Sequence, residues 1–164
     1  MNRINVYFDL DGTLAEWRTA ASFSDLLKKG YFRSLAPTPL ARYANELREK
    51  KDNVDSYTLS AYIPESYAHD EKNEWVDEYA PNIDPAHRIF VCDGVCKADF
   101  VIEALNRPLT ENDVLVDDHT PNLTAWKKAG GKAIKWLNGI NGVGGTFDGP
   151  RTGDIEELDH LIFG

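Results

Sequence analysis

The chain has 164 residues, 42% of them apolar, with 18 Lys and Arg against 27 Asp and Glu and a formal net charge of −9. That charge argues against general binding of nucleic acid polymers, which rests on neutralising phosphates with Lys and Arg. No run approaches the roughly 20 apolar residues of a membrane span. Met1 to Asn5 lacks the apolar core of a signal peptide, so a single cytoplasmic domain over 1–164 is expected. Cys92 and Cys96 have neither zinc-site spacing nor paired histidines, and are expected to be reduced thiols.

Ile4-Asn5-Val6-Tyr7-Phe8 reads as a first strand and runs into Asp9-Leu10-Asp11-Gly12-Thr13. Asp9 and Asp11 alternate with Leu10, so an extended chain turns both carboxylates one way. Such a pair repels unless a cation joins it or one member holds a proton. Gly12 permits a sharp turn. An Asp-Gly hairpin is the bland alternative, but strand-like alternation does not resume, and Leu14-Ala15-Glu16-Trp17 looks helical.

A βαβ unit needs about 30 residues, and Asp11 and Ser60 lie about 48 positions apart. The surplus predicts a small helical cap insertion at about 15–37, standing over the carboxyl end of the first strand. Its aromatics Trp17, Phe23 and Phe32 either stack on a base or pack the insertion's own core. A helix follows from Pro39 to Lys50, then a strand over Tyr57-Thr58-Leu59 ending in Ser60, and a helix from His69 to Tyr79. Arg88-Ile89-Phe90-Val91 is a third strand, with Lys97 at the start of a helix from Ala98 to Asn106. Val114-Leu115-Val116 is a fourth, ending in Asp117-Asp118. Thr120 as N-cap and Pro121 at the first helical position predict a helix to Ala129, stopped by Gly130-Gly131. Lys132 to Trp136 is a fifth strand, a glycine-rich loop over 138–145 follows, and Asp154 to Ile162 is a last helix. Strands alternating with helices predict an α/β fold, a parallel sheet with helices on both faces.

Ligands of open α/β sheets bind outside the carboxyl ends of the strands. Asp9, Asp11, Ser60, Lys97, Asp117 and Asp118 all fall there. Lys97 opens a helix, where a cation faces the positive end of the dipole, and a phosphate at that end removes the conflict. His119 abuts this group. His69, His87 and His160 read as surface or satisfied core residues.

Asp9-Leu10-Asp11-Gly12-Thr13-Leu14 resembles the first motif of the haloacid dehalogenase-like superfamily, whose phosphatases carry DxDGT after the first strand. Ser60 in Leu59-Ser60-Ala61 resembles the second motif, Lys97 the third and Asp117-Asp118 the fourth, in family order along nearly the whole chain. The insertion and Asp117-Asp118-His119-Thr120-Pro121-Asn122-Leu123 resemble, more loosely, the 5'(3')-deoxyribonucleotidase branch.

The resemblance implies a Rossmannoid three-layer sandwich and a magnesium-dependent phosphomonoesterase working through an aspartyl-phosphate, with a nucleoside monophosphate as substrate. Magnesium would take Asp9, Asp117 and the backbone carbonyl of Asp11 as ligands. Asp9 would be the nucleophile, and Asp11 would protonate the leaving alkoxide and later deprotonate water. Ser60 and Lys97 would hold phosphoryl oxygens, with Asp118 supporting Lys97. Two other readings stay open. One is a phosphatase of another small metabolite such as a sugar phosphate. The other is a non-catalytic nucleotide-binding regulator, which has no need of a protonatable Asp11.

Overall fold

The structure, a computed structural model, describes residues 3–19, 21–141 and 145–164. Six parallel strands form one sheet in the order β3-β2-β1-β4-β5-β6: β1 Ile4–Phe8, β2 Val54–Tyr62, β3 Arg88–Cys92, β4 Asp113–Asp117, β5 Lys132–Trp136 and β6 Arg151–Thr152. The central pairings set Phe8 beside Val116 on one flank and beside Thr58 on the other. The strand order reverses between β1 and β4, and that switch point is where such sheets bind ligands.

The helices flank the sheet in two layers. On one face lie α2 (Pro39–Lys50), α3 (Ala68–Tyr79) and α6 (Ile155–Phe163), burying Leu40, Ala44, Trp75, Val76, Leu158 and Ile162 against Val6, Phe8 and Val116. On the other lie α4 (Lys97–Leu105) and α5 (Thr120–Lys128), burying Val101, Leu123 and Trp126 against Tyr7, Leu59 and Leu115. Burying each large apolar side chain contributes about 1.5–3 kcal/mol. This is the expected three-layer α/β sandwich.

Three local readings are corrected. β2 is nine residues long, because its polar start is partnered: Asp55 pairs with Arg3, and the Ser56 hydroxyl donates to the Ala44 carbonyl at 3.0 Å. Ser60 therefore lies inside the strand. Thr120 is the first residue of α5, whose cap position is His119. The Thr120 hydroxyl accepts from the buried Lys135 ammonium at 2.6 Å instead of capping the helix. β6 was not foreseen, since two residues carry no readable alternation.

Between Ala15 and Pro37 the chain leaves the sheet and returns. These two residues form an antiparallel bridge, and Glu16 N–H donates to the Ala36 carbonyl at 2.9 Å. The excursion holds one helical turn, α1 (Phe23–Leu26), and a 3₁₀ turn at Phe32–Ser34. The side chains of α3 fasten it: Glu71 accepts Phe32 N–H at 3.1 Å and also Gly30 N–H, and the Trp75 indole donates to the Leu35 carbonyl at 2.8 Å.

Candidate active site

β1 and β4 deliver Asp9 and Asp117 side by side, with Asp9 N–H still donating to the Val116 carbonyl at 3.0 Å. Beyond Asp9 the chain turns tightly, Thr13 N–H reaching the Leu10 carbonyl at 3.0 Å and Gly12 N–H the Ala15 carbonyl at 2.9 Å. Gly12 has φ +77°, and a Cβ there would stand 2.3 Å from Asp118 Oδ2. Both facts favour glycine, since the left-handed backbone strains most side chains and a Cβ would displace the Asp118 carboxylate.

Lys97 begins α4 and is buried. Its ammonium lies 2.9 Å from Asp9 Oδ1 and 2.8 Å from Asp117 Oδ2. Burial alone would lower its pKa, but the Asp117 and Asp9 carboxylates more than offset this and hold it charged. Asp117 is fully buried and also accepts His119 N–H at 2.8 Å and the Asn122 amide at 3.0 Å. Asp118 was expected to support Lys97. It instead leans on Gly12 and accepts from the Asn138 amide at 3.2 Å, an amide that also donates to the Gly12 carbonyl at 2.9 Å. Asn122 and Asn138 were not expected as site residues, although Asn122 lies in the segment after the fourth strand and Asn138 opens the glycine-rich loop.

Four carboxylates, Asp9, Asp11, Asp117 and Asp118, thus face two ammonium groups, Lys97 and Lys72. The deficit appears in the acids. Burial, with repulsion from Asp117 and Asp11, pushes Asp9 up to about 6 despite Lys97. Burial and the charges of Asp9 and Asp117 push Asp118 up to about 8. Oxygen atoms of Asp9, Asp117 and Asp118 lie within 4.8 Å of one another. Three converging carboxylates short of positive charge fit a hard divalent cation such as magnesium. Asp118 was not among the expected ligands, and its carboxylate lies in this group beside Asp9 and Asp117.

Asp9, Asp11, Lys97 and Asp118 line one cleft of about 430 Å³, with Trp17 and Asn138 at its rim. Ser60 does not line it. Its side chain is fully buried and accepts from Lys72 at 3.0 Å, while Ala61 reaches the cleft. Of the three aromatics, Trp17 lines the cleft and is 45% exposed. Phe32 is buried in the core with its ring against Tyr31, so it cannot stack on a ligand. Phe23 is exposed and lines none of the cavities described. A larger hollow of about 700 Å³ opens within the insertion and shares Trp17 with the cleft. Of the glycine-rich loop, Asn138, Ile140 and Asn141 line the cleft, whereas residues 142–144 lie outside the described ones.

No family model matches the chain. In sequence it is 30% identical over 115 residues to a protein named "Putative 5'(3')-deoxyribonucleotidase" from Staphylococcus aureus. The match covers 62% of this chain and 62% of that relative's length. In structure it is similar to a D,D-heptose 1,7-bisphosphate phosphatase from B. bronchiseptica complexed with magnesium and phosphate. The TM-score is 0.62 at 14% identity, over 98% of this chain and 99% of that one. It is also similar to a HAD-superfamily hydrolase from Ehrlichia chaffeensis, with TM-score 0.60 at 11% identity over 99% and 97% of the two chains.

Proposed function

We propose that this chain, which has the haloacid dehalogenase-like fold, is a magnesium-dependent phosphomonoesterase whose nucleophile is Asp9 and whose substrate is a nucleoside monophosphate. The observation that carries the reading is the convergence of Asp9, Asp117 and Asp118 oxygens at the carboxyl edge of β1 and β4, around the cationic Lys97. Asp9, Asp117, Asp118 and the Asp11 carbonyl would hold magnesium, whose charge would neutralise the phosphate dianion that four carboxylates otherwise repel.

Asp9 attacks phosphorus through a carboxylate oxygen, the phosphorus–oxygen bond to the leaving group breaks, and an aspartyl-phosphate forms. Asp11, protonated when substrate is bound, gives that proton to the departing alkoxide, then as a carboxylate takes one from the water that releases phosphate and restores Asp9. Lys97 keeps Asp9 oriented and offsets charge on the phosphoryl oxygens. Trp17, exposed and lining both the cleft and the larger hollow, would meet the leaving group. The Staphylococcus aureus relative supports a nucleotide as substrate.

Rapid-quench kinetics test the assignment of roles. Asp9→Asn forms no phosphoenzyme with any substrate. Asp11→Asn loses about 10²–10⁴-fold on a nucleoside monophosphate, a poor leaving group, and much less on p-nitrophenyl phosphate. Equal losses of Asp11→Asn on both substrates would remove Asp11 from proton transfer. A phosphate-release screen including sugar phosphates, with and without EDTA, tests the substrate class and the metal together.

A further inference from the structure

Helix α3 buries Ala68, Glu71, Lys72, Trp75 and Val76; Glu71 is taken up by the backbone of the insertion, and Lys72 is 2% exposed. Burying an ammonium is costly unless each proton is met by an acceptor. Here all three are. Lys72 donates to the Ser60 hydroxyl at 3.0 Å, to the Ala61 carbonyl at 2.5 Å and to Asp11 Oδ2. The Phe32 ring centroid lies 4.7 Å from the ammonium.

Two features separate this from an ordinary buried ion pair. Asp11 lines the cleft and Lys72 does not, so the carboxylate stands between the lysine and any ligand. Lys72 grips only Oδ2, and no hydrogen bond among the described residues reaches Asp11 Oδ1. One oxygen is anchored, and the other is left without a donor among the described residues on a side chain that lines the cleft.

We propose that Lys72 is a positioning residue for Asp11, fixing the carboxylate so that Oδ1 meets the leaving group and the attacking water, and that Ser60 serves the reaction by anchoring Lys72. Lys72 touches neither substrate nor reacting atoms. Its neighbour Glu71 holds the backbone of the insertion, so adjacent residues of α3 set the acid and the cap in one frame. The inference rests on the reading of Asp11 as the proton-transferring group. It also replaces the expectation that Ser60 holds a phosphoryl oxygen.

The test is a double-mutant cycle in the full chain with magnesium, measuring kcat and KM on a nucleoside monophosphate and on p-nitrophenyl phosphate. Lys72→Met lowers kcat on the nucleotide by about 10²-fold, the scale of a misplaced catalytic group, leaves KM nearly unchanged, and costs less on p-nitrophenyl phosphate. The double variant Asp11→Asn/Lys72→Met is no slower than Asp11→Asn, because a positioning residue has nothing left to position. Ser60→Ala shows the same leaving-group bias, more weakly. If Lys72→Met does not fold, Lys72→Arg and Ser60→Ala carry the cycle.

Losses that multiply in the double variant, or fall equally on both substrates, overturn the inference. So does a Ser60→Ala protein whose KM rises alike for both, the mark of a phosphate ligand. An Asp11→Asn protein without leaving-group bias removes the underlying reading and this inference with it. A biased Asp11→Asn beside an unbiased Lys72→Met sinks this inference alone.

Discussion

Strand β4 begins with Asp113 and ends with Asp117, both fully buried, and the two ends of this one strand treat negative charge in opposite ways. At the amino end Asp113 stands alone among donors. Arg107 grips both its oxygens at 2.8 and 2.9 Å, the Asn5 amide donates at 2.9 Å, and Thr110 donates its N–H at 2.9 Å and its hydroxyl at 3.1 Å. Burial pulls its pKa upward, but the Arg107, Asn5 and Thr110 hydrogen bonds outweigh that and hold it below the usual range. At the carboxyl end four carboxylates share two ammonium groups, and Asp9 and Asp118 are pushed to about 6 and 8. A carboxylate whose charge is fully answered holds the fold together. A group whose charge is left over is prepared for a cation and an anionic substrate.

The sharpest break of this comparison is Asp9→Asn. It removes the proposed nucleophile, so turnover falls by more than about 10⁴-fold. Stability without metal holds or rises, because the change relieves repulsion among the buried carboxylates. A large loss of thermal stability, read by circular dichroism, would show that the carboxyl end is structural after all.

Next comes the metal. Magnesium raises the melting temperature of the wild-type chain, since a ligand bound only to the folded state stabilises it by mass action. Asp118→Asn removes one of the three converging donors and weakens magnesium by at least about 10-fold, with the stabilising shift reduced accordingly. Asp113→Asn leaves that shift intact. Calorimetric titration of both variants decides, and equal magnesium affinity in Asp118→Asn would restrict the donors to Asp9 and Asp117.

At the amino end the effects are on stability. Asp113→Asn leaves Arg107 and Thr110 facing an amide and costs about 1–3 kcal/mol, while kcat stays unchanged. The sign of the pH dependence follows from the lowered folded-state pKa. The contribution of Asp113 is present above the unfolded carboxylate range, near pH 4, and is lost as pH falls toward the folded value. The variant therefore has a flatter acid limb than wild type in melting temperature against pH. Parallel limbs would mean that Asp113 is not held ionised by its donors.

The two ends were not equally legible. Asp9, Asp11, Lys97 and Asp117 could be found because motif spacing and strand ends mark them, and the alternation of elements gave the sheet. Lys72 was missed because Glu71-Lys72-Asn73-Glu74 looks like a solvated helix face, and its acceptor Asp11 lies 61 positions away. The available signal was its place in register with Ala68, Trp75 and Val76, where a lysine must find buried acceptors. Whether Phe32 stacks on a base or packs stayed open, because composition cannot tell an insertion's core from its rim, and the structure puts it in the core. Asp118 was expected to support Lys97, 21 positions before it, whereas the Gly12 turn and Asn138, 20 positions after it, draw it elsewhere. Contacts between strand ends far apart in the chain carry no local pattern.

The smallest effect probes whether the amino end is as closed as Asp113 suggests. Tyr7 on β1 packs its ring 4.7 Å from Tyr57 and 5.1 Å from Trp126. Its hydroxyl is buried and has no hydrogen-bond partner among the described residues. Burial, reinforced by the Asp113 charge, raises its pKa, so the group stays a neutral phenol. An orphaned hydroxyl costs free energy that a phenyl edge does not. Tyr7→Phe keeps the stacking and removes the orphan, so stability should hold or rise by up to about 1 kcal/mol, a shift of up to about 3 °C in a chain of this size. Turnover should not change, because the ring lies on the α4–α5 face and does not line the cleft. A loss of more than about 1 kcal/mol would show that the hydroxyl has a partner in solution. The amino end would then hold a polar network wider than Asp113 and its donors.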